Sequence, residues 1–316
     1  MCYIGKWLTA MSRLRISIVE YLNTAPLVWG FTDGPLQGKY DLDFAVPSMC
    51  AEALRQGKAD IGIIPAIEYQ RIAGLTMFPG MSVAANGPVR SILVLAKKPI
   101  ERVRRFALDI SSRSSQGLVR ILAKRRWGIA PEFVPARPHA GDMLEQADAA
   151  LLIGDPALRV SVKLDVLAQR KGGAHCCDGD PNDMPVPGFP SLYVYDVADE
   201  WREMTGLPCV LAVWAARRDA FGSAGAPPVL ADVVSDFLSS KAYGLARIRE
   251  IAEGASLKLD LPAAACESYL RENIDFGLEE RNRAGLELYY RYAAEDGIIA
   301  THKPIDWAGT PAGARA

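Results

Sequence analysis

A chain of 316 residues is long enough for two domains of roughly 150 residues, each with a core of its own. Half of it is hydrophobic and 23% is charged, an ordinary globular composition, and 36 basic against 37 acidic residues leave no global field to draw nucleic acid or an anionic membrane. Any anion site must therefore be local, and no apolar run reaches the roughly 18 residues that a membrane span requires.

At the start, Met1 to Ala10 carries one lysine and too short an apolar stretch for a secretory signal, and Met11 is an alternative start because the first periodic strand begins at Leu14. Six cysteines, at positions 2, 50, 176, 177, 209 and 266, have no repeated spacing, which points to reduced thiols and a cytoplasmic protein.

In chain order, Leu14 to Val19 alternates as a strand, and Asn23-Thr24-Ala25-Pro26 opens a helix towards Phe31. Asp41 to Ala45 is a second strand, Ser48 heads an amphipathic helix closed by Gly57, and Asp60 to Ile64 is a strand whose apolar run goes straight into Pro65 and a helix carrying Glu68. Met77 to Val83, the turn Asn86-Gly87-Pro88 and the strand Ser91 to Ala96 follow. Arg105 to Leu108 is a strand, Ser111 to Ser115 a polar turn, and Gly117 to Trp127 a helix whose last turn holds Lys124, Arg125 and Arg126, suited to the negative end of its dipole. The strand Ala149 to Ile153 ends at Gly154-Asp155-Pro156, where another helix starts. Lys171 to Pro190 is a long Gly-, Pro- and Asp-rich loop, functional or inserted. Val210 to Ala215 reads as a strand returning to the first lobe, and three helical stretches complete the chain: Leu230 to Ala252, Pro262 to Asn273 and Leu278 to Ala294.

The informative pattern is stated twice: Ala59 to Ala66 and Ala147 to Ala157 are each an apolar run ended at once by a proline-bearing helix start. Such runs are strands covered on both faces, and ligands of open α/β sheets sit at the edge where they end. One such edge in each half predicts two α/β lobes facing across a cleft. The expected boundaries are residues 12–97 with 208–316 for the first lobe and 98–207 for the second, hinged near 96–99 and 207–210.

Several groups are candidates for that cleft. Asp109-Ile-Ser-Ser-Arg-Ser-Ser115 gathers hydroxyls, a guanidinium and free helix amides, an anion seat or a serine-rich cap. Asn23 and Thr24 can cap a helix or hydrogen-bond a substrate, and Asp155 can be an N-cap, an acceptor or a base. Gly87-Pro-Val-Arg-Ser91 is either a connection or a hinge whose amides and hydroxyl face the cleft. Glu68 faces the cleft or solvent. His175-Cys176-Cys177-Asp178 lacks the spacing that lets two thiolates reach one zinc, and no glycine-rich dinucleotide or triphosphate motif or nucleophile elbow occurs.

Six ordered blocks carry a resemblance: Tyr21-Leu-Asn23-Thr-Ala-Pro26, Ile64-Pro-Ala-Ile-Glu-Tyr69, Gly87-Pro-Val-Arg-Ser91, Ser112-Arg-Ser-Ser115, Leu152-Ile-Gly-Asp155-Pro-Ala-Leu158 and Trp201-Arg-Glu-Met-Thr-Gly-Leu-Pro208. From Leu14 to Ile299 the chain resembles the chorismate dehydratase family of the futalosine route to menaquinone. The resemblance implies an α/β, two-lobed type 2 periplasmic-binding-protein-like fold, each lobe a mostly parallel sheet flanked by helices, with the ligand in the cleft. It implies a cytoplasmic hydro-lyase that converts chorismate, a dicarboxylate, to 3-[(1-carboxyvinyl)oxy]benzoate without metal or organic cofactor. No nucleic-acid or membrane partner is expected, and a homodimer is left open. As site residues it implies Asn23 and Ser91 as catalytic, with Thr24, Gly87, Val89, Ser112, Arg113, Ser114, Ser115 and Asp155 around the substrate. The loop 171–190 and the ten extra N-terminal residues depart from the family pattern.

Two other readings compete. The related 1,4-dihydroxy-6-naphthoate synthase would be expected to place a histidine in its site, and none of His139, His175 and His302 falls on a first-lobe strand edge. A solute-binding protein would be expected to carry an export signal.

Overall fold

The computed structural model describes residues 13–170, 186–189, 191–221 and 227–309. The first half runs β1 (Arg15–Val19), α1 (Ala25–Thr32), β2 (Asp41–Ala45), α2 (Pro47–Arg55), β3 (Ile61–Pro65), α3 (Ala66–Arg71), β4 (Leu75–Ala85) and β5 (Ile92–Ala96). There follow β6 (Arg105–Asp109), α4 (Ser114–Arg125), β7 (Glu132–Ala136), α5 (Ala140–Gln146), β8 (Ala149–Ile153), α6 (Gly154–Arg170), β9 (Tyr193–Asp196) and α7 (Val197–Thr205). The last part is β10 (Cys209–Arg217), α8 (Pro227–Leu245), α9 (Ile248–Leu259), α10 (Ala263–Ser268) with a π-helical turn at Tyr269–Asn273, and α11 (Glu280–Glu295).

The strands form two five-stranded sheets of matching design, ordered β2-β1-β3-β10-β4 and β7-β6-β8-β5-β9. The two apolar runs that end at a proline-bearing helix start, β3 and β8, are the central strands, every residue buried. In each sheet, the strand arriving from the other half of the chain, β10 or β5, inserts antiparallel beside the central strand, while the other four run one way. Helices lie on both faces. In the second sheet Val94 and Leu151 join the large core that runs through both lobes, while their neighbours Leu93, Leu152 and Ala150 pack on Met143 and Leu144 of α5 and Ala157 of α6. That two-sided burial is why these strands are apolar throughout rather than alternating.

The expected first crossing at 96–99 is corrected to 86–91. Ile92–Ala96 pairs with β8 and β9, so the chain has already reached the second sheet when β5 starts. It returns between the end of α7 and the start of β10. The single helix expected over Leu230 to Ala252 is two, α8 and α9, and the stretch Pro262 to Asn273 changes from α to π at Tyr269. Strands β7 and β9 and helices α5 and α7 have no counterpart in the sequence reading, because β7 and β9 are short, half-exposed edge strands with little apolar periodicity.

Candidate active site in the interlobe cleft

A cleft lies between the lobes, lined by residues of both sheets. The first sheet contributes the ends of β1 and β3 (Val19, Pro65), the start of α2 (Pro47), Val83, and Leu211 and Ala212 of the inserted strand. The second contributes the start of β5, the turn from β6 into α4, and Ile153 and Gly154 at the end of β8. Both walls are thus the carboxyl ends of parallel strands, where peptide groups point outwards unpaired.

Asn23 and Thr24 line the cavity at the top of β1. Asn23 lies in a single 3-10 turn, and neither that turn nor α1 receives a side-chain cap. The carboxamide is instead turned to Thr24, whose Oγ1 donates to Asn23 Oδ1 at 3.3 Å, with the phenol of Tyr269 nearby. Ser91 is 1% exposed and lines the opposite wall, and its Oγ accepts from Tyr269 Oη at 2.8 Å.

The segment before Ser91 differs from its expected use. Gly87 and Val89 are buried but off the cavity wall. The Arg90 amide, in the left-handed region at φ 64°, donates to Asp196 Oδ2 at 2.6 Å, so this amide is spent on Asp196 rather than open to an anion. Burial pushes the Asp196 carboxyl up to about 6 against the amides that draw it down.

Ser112, Arg113, Ser114 and Ser115 all line the cavity from the second lobe, and the three serines are buried. Arg113 holds the N-cap position of α4 without a side-chain cap bond and is exposed at the rim. Ser114 bridges the lobes: its Oγ accepts from Ile67 N at 3.3 Å, while its carbonyl accepts from Tyr289 Oη at 2.9 Å. Tyr290 reaches the other way, donating to Ala66 O at 2.7 Å, so neighbouring tyrosines of α11 hold the first turns of α4 and α3. Among the described residues, the Ser112 and Ser115 hydroxyls have no protein partner, and the first amides of α4 present partial positive charge beside them.

Asp155 is not on the cavity wall. Its Oδ1 accepts from Leu22 N across the lobes at 3.0 Å, and burial raises its carboxyl above the usual range. Beside it stands Tyr21, which the sequence pattern does not single out as a site residue: the ring lines the cavity and packs on Gly154, and burial pushes its phenol up to about 12. Asp109 lies below, wholly buried, with Oδ1 accepting from the Ser111 amide at 2.8 Å and its hydroxyl at 2.6 Å.

Other candidates fall away from the cleft. Glu68 is buried between Arg55 and Arg71, a structural ion pair. His139 accepts from Asp142 N at the exposed start of α5, and His302 packs near Tyr290; neither lines the cavity. Cys50, Cys209 and Cys266 are buried free thiols, and burial pushes that of Cys50 up to about 11. Cys2, His175, Cys176 and Cys177 lie outside the described residues, as does most of the loop 171–190. Among the described residues no group of three or more His, Cys, Asp or Glu could hold a metal ion, and no helix is long and apolar enough to cross a membrane.

Structural likeness establishes the fold as periplasmic-binding-protein-like. Protein AF1704 from Archaeoglobus fulgidus aligns with a TM-score of 0.63 at 18% identity, over 90% of this chain and 98% of that one. The periplasmic aliphatic sulphonate binding protein SsuA from Escherichia coli aligns with a TM-score of 0.57 at 18% identity, over 92% and 94%. In sequence the chain is 29% identical over 275 residues to the chorismate dehydratase of Thermus thermophilus, covering 87% of this chain and 93% of that protein. Residues 14–295, nearly the whole described length, match the family described as menaquinone biosynthesis, and the chain belongs to that family.

Proposed function

We propose that the protein is a cytoplasmic chorismate dehydratase, a hydro-lyase that removes water from chorismate to give 3-[(1-carboxyvinyl)oxy]benzoate, the first step of the futalosine route to menaquinone. The observation that carries this reading is the convergence on one cavity of Asn23 from the first lobe and of Ser91 and the Ser112–Ser115 turn from the second, in a chain related to a chorismate dehydratase over most of its length. A neutral chain with two local, hydroxyl-rich seats suits a compact dicarboxylate.

The reaction needs positioning more than chemical power. Loss of the ring hydroxyl, together with the proton on the neighbouring ether-bearing carbon, leaves an aromatic ring. The barrier then depends on holding the substrate in the conformation for elimination rather than rearrangement. A base must stand within hydrogen-bond reach of that proton. The titratable side chains nearest the cavity are poor candidates: Tyr21 holds its proton up to about pH 12, and Asp155 is engaged by Leu22 N. The enolpyruvyl carboxylate of the substrate takes the proton in this reading and returns it to the departing hydroxyl, so that water leaves and no charge accumulates.

Ser91 and the Ser112–Ser115 turn hold the two carboxylates, with the α4 amides behind the serines and Arg113 at the rim. Asn23 aligns the departing hydroxyl, Thr24 fixes the Asn23 carboxamide, and Asp155 and Gly87–Val89 act by holding the lobes and the crossing in place.

The test is mass spectrometry of purified protein incubated with chorismate, without added metal or cofactor and against a no-enzyme control. An aromatic product lighter by one water is expected. Unchanged chorismate that is nevertheless bound would overturn the dehydratase reading in favour of a binding protein.

A further inference from the structure

The residue that holds the Ser91 hydroxyl lies 178 positions from the serine, and the six blocks of the resemblance do not include it. Tyr269 is 1% exposed and absent from the cavity wall. Its Oη donates to Ser91 Oγ at 2.8 Å, and the Asn23 side chain lies near the same oxygen. We propose that Tyr269 is a positioning residue for the dehydration, its phenol setting the direction in which the Ser91 hydroxyl and the Asn23 carboxamide present hydrogens to the substrate. The proposal rests on the chorismate dehydratase reading.

The number of hydrogens available fixes the polarity of this group. A neutral phenol has one to give, and here it goes to Ser91. What remains on Oη is acceptor capacity, which favours an N–H of the nearby Asn23 carboxamide on that side, since Asn23 Oδ1 takes the Thr24 hydroxyl. In that orientation Asn23 has an N–H for the substrate. Ser91 Oγ has accepted one bond, and the Ser91 carbonyl accepts from Gly154 N at 2.7 Å. The hydroxyl hydrogen of Ser91 is then free to be given, and the cavity lies in front of it. A buried chain of this kind, fully satisfied, holds one polarity. Burial and the charges of Asp155 and Asp196 keep the phenol protonated, so its part is to orient rather than to take the proton.

The backbone supports this use. The helix changes to π geometry at Tyr269–Asn273, a widening that accommodates one extra residue and re-aims a side chain. From the same turn Asn273 Nδ2 donates to Pro88 O at 3.0 Å, so one turn grips the crossing segment at Pro88 and at Ser91.

The experiment compares Tyr269→Phe, Ser91→Ala and the double variant, each checked by circular dichroism and thermal melting. Steady-state dehydration and calorimetric binding of chorismate are then measured on all three. Tyr269→Phe is expected to lower kcat by about 10- to 100-fold with KM moved less than about threefold, and the double variant to be no slower than Ser91→Ala alone. A Tyr269→Phe enzyme that only melts lower, with kcat intact, overturns the proposal, as do losses that multiply in the double variant. If Tyr269→Phe does not fold, Asn273→Ala decides, since it loosens the turn without touching the cavity: a lower kcat at unchanged KM supports the proposal and an unchanged kcat overturns it. A wild type that binds chorismate without converting it defeats the dehydratase reading alone, and the coupling is then judged from the binding constants. A wild type that neither binds nor converts it defeats both.

Discussion

Asn23 illustrates how one side chain can be released from a structural duty. Asparagine before a helix start is a natural cap, yet the 3-10 turn at Leu22–Thr24 places its carboxamide towards the cleft with no cap bond. Asn23→Asp is expected to fold normally and to lower dehydration by about 100-fold or more, because a carboxylate would repel the dianionic substrate where an N–H should donate. Near-normal turnover in an absorbance assay would remove Asn23 from its role. Gly154 adds a steric test. It sits at φ 66°, and a Cβ there would lie 2.5 Å from the Tyr21 ring, so Gly154→Ala must displace Tyr21 from the cavity wall. Destabilisation of about 1–3 kcal/mol and a raised KM are expected from melting and kinetics. Glu68 is the contrasting case. Buried between two half-exposed arginines, it should cost about 1–3 kcal/mol as Glu68→Gln while leaving kcat of the folded enzyme unchanged, which denaturant unfolding and kinetics on one preparation would check.

At the scale of elements, the site is held by segments that interrupt regular structure. The crossing at 86–91 carries left-handed Arg90, a conformation that costs free energy for a residue with a side chain and is offset here by the Asp196 carboxylate on its amide. Helices α8 and α1 pack closely because Gly244 lies against Pro26, where a Cβ would stand 2.0 Å from the carbonyl oxygen. Helix α11 spans the lobes at its far end as well as through its tyrosines, with Asp296 just beyond it bonded to Lys124 and Arg125 of α4 at 2.7 Å each. Burial alone would raise that carboxyl, but the two cations outweigh it and hold it below its ordinary value. A carboxyl held low in the folded state contributes stability that is complete above its unfolded value of about 3.9 and is lost as pH falls through the folded one. Urea unfolding between pH 7 and 3 should therefore show wild-type stability falling more steeply than that of Asp296→Asn at the acid end. Equal slopes would show that the pair does not link α11 to α4 in solution.

For the whole molecule, the decisive feature is that each sheet receives one strand from the other half of the chain. Two connections, 86–91 and the stretch between α7 and β10, lie side by side through this exchange, which is the arrangement of a hinge. Polar contacts join the lobes around the cavity: Leu22 with Asp155, Ile67 with Ser114, and Ser48 N with Ser111 O at 3.0 Å. Bonds of this kind are exchangeable with water when the lobes part. Small-angle scattering is expected to show a smaller radius of gyration with chorismate than without it, and an unchanged radius would count against closure on the ligand.

The sequence by itself determined the two central strands, since four or five consecutive apolar residues stopped by a proline-bearing helix start have few other stable uses. It also placed Asn23, Ser91 and the Ser112–Ser115 turn at strand ends, because ligand edges follow from strand direction alone. Only the tertiary structure decided what those residues face. The first crossing lay earlier than the apolar pattern of Ile92–Ala96 could say, because a run buried on both faces fits either sheet equally well. Tyr269 was illegible for a different reason. Its surroundings in the chain read as an ordinary helix, and the bond that gives it meaning closes across 178 residues, a distance over which periodicity carries no signal.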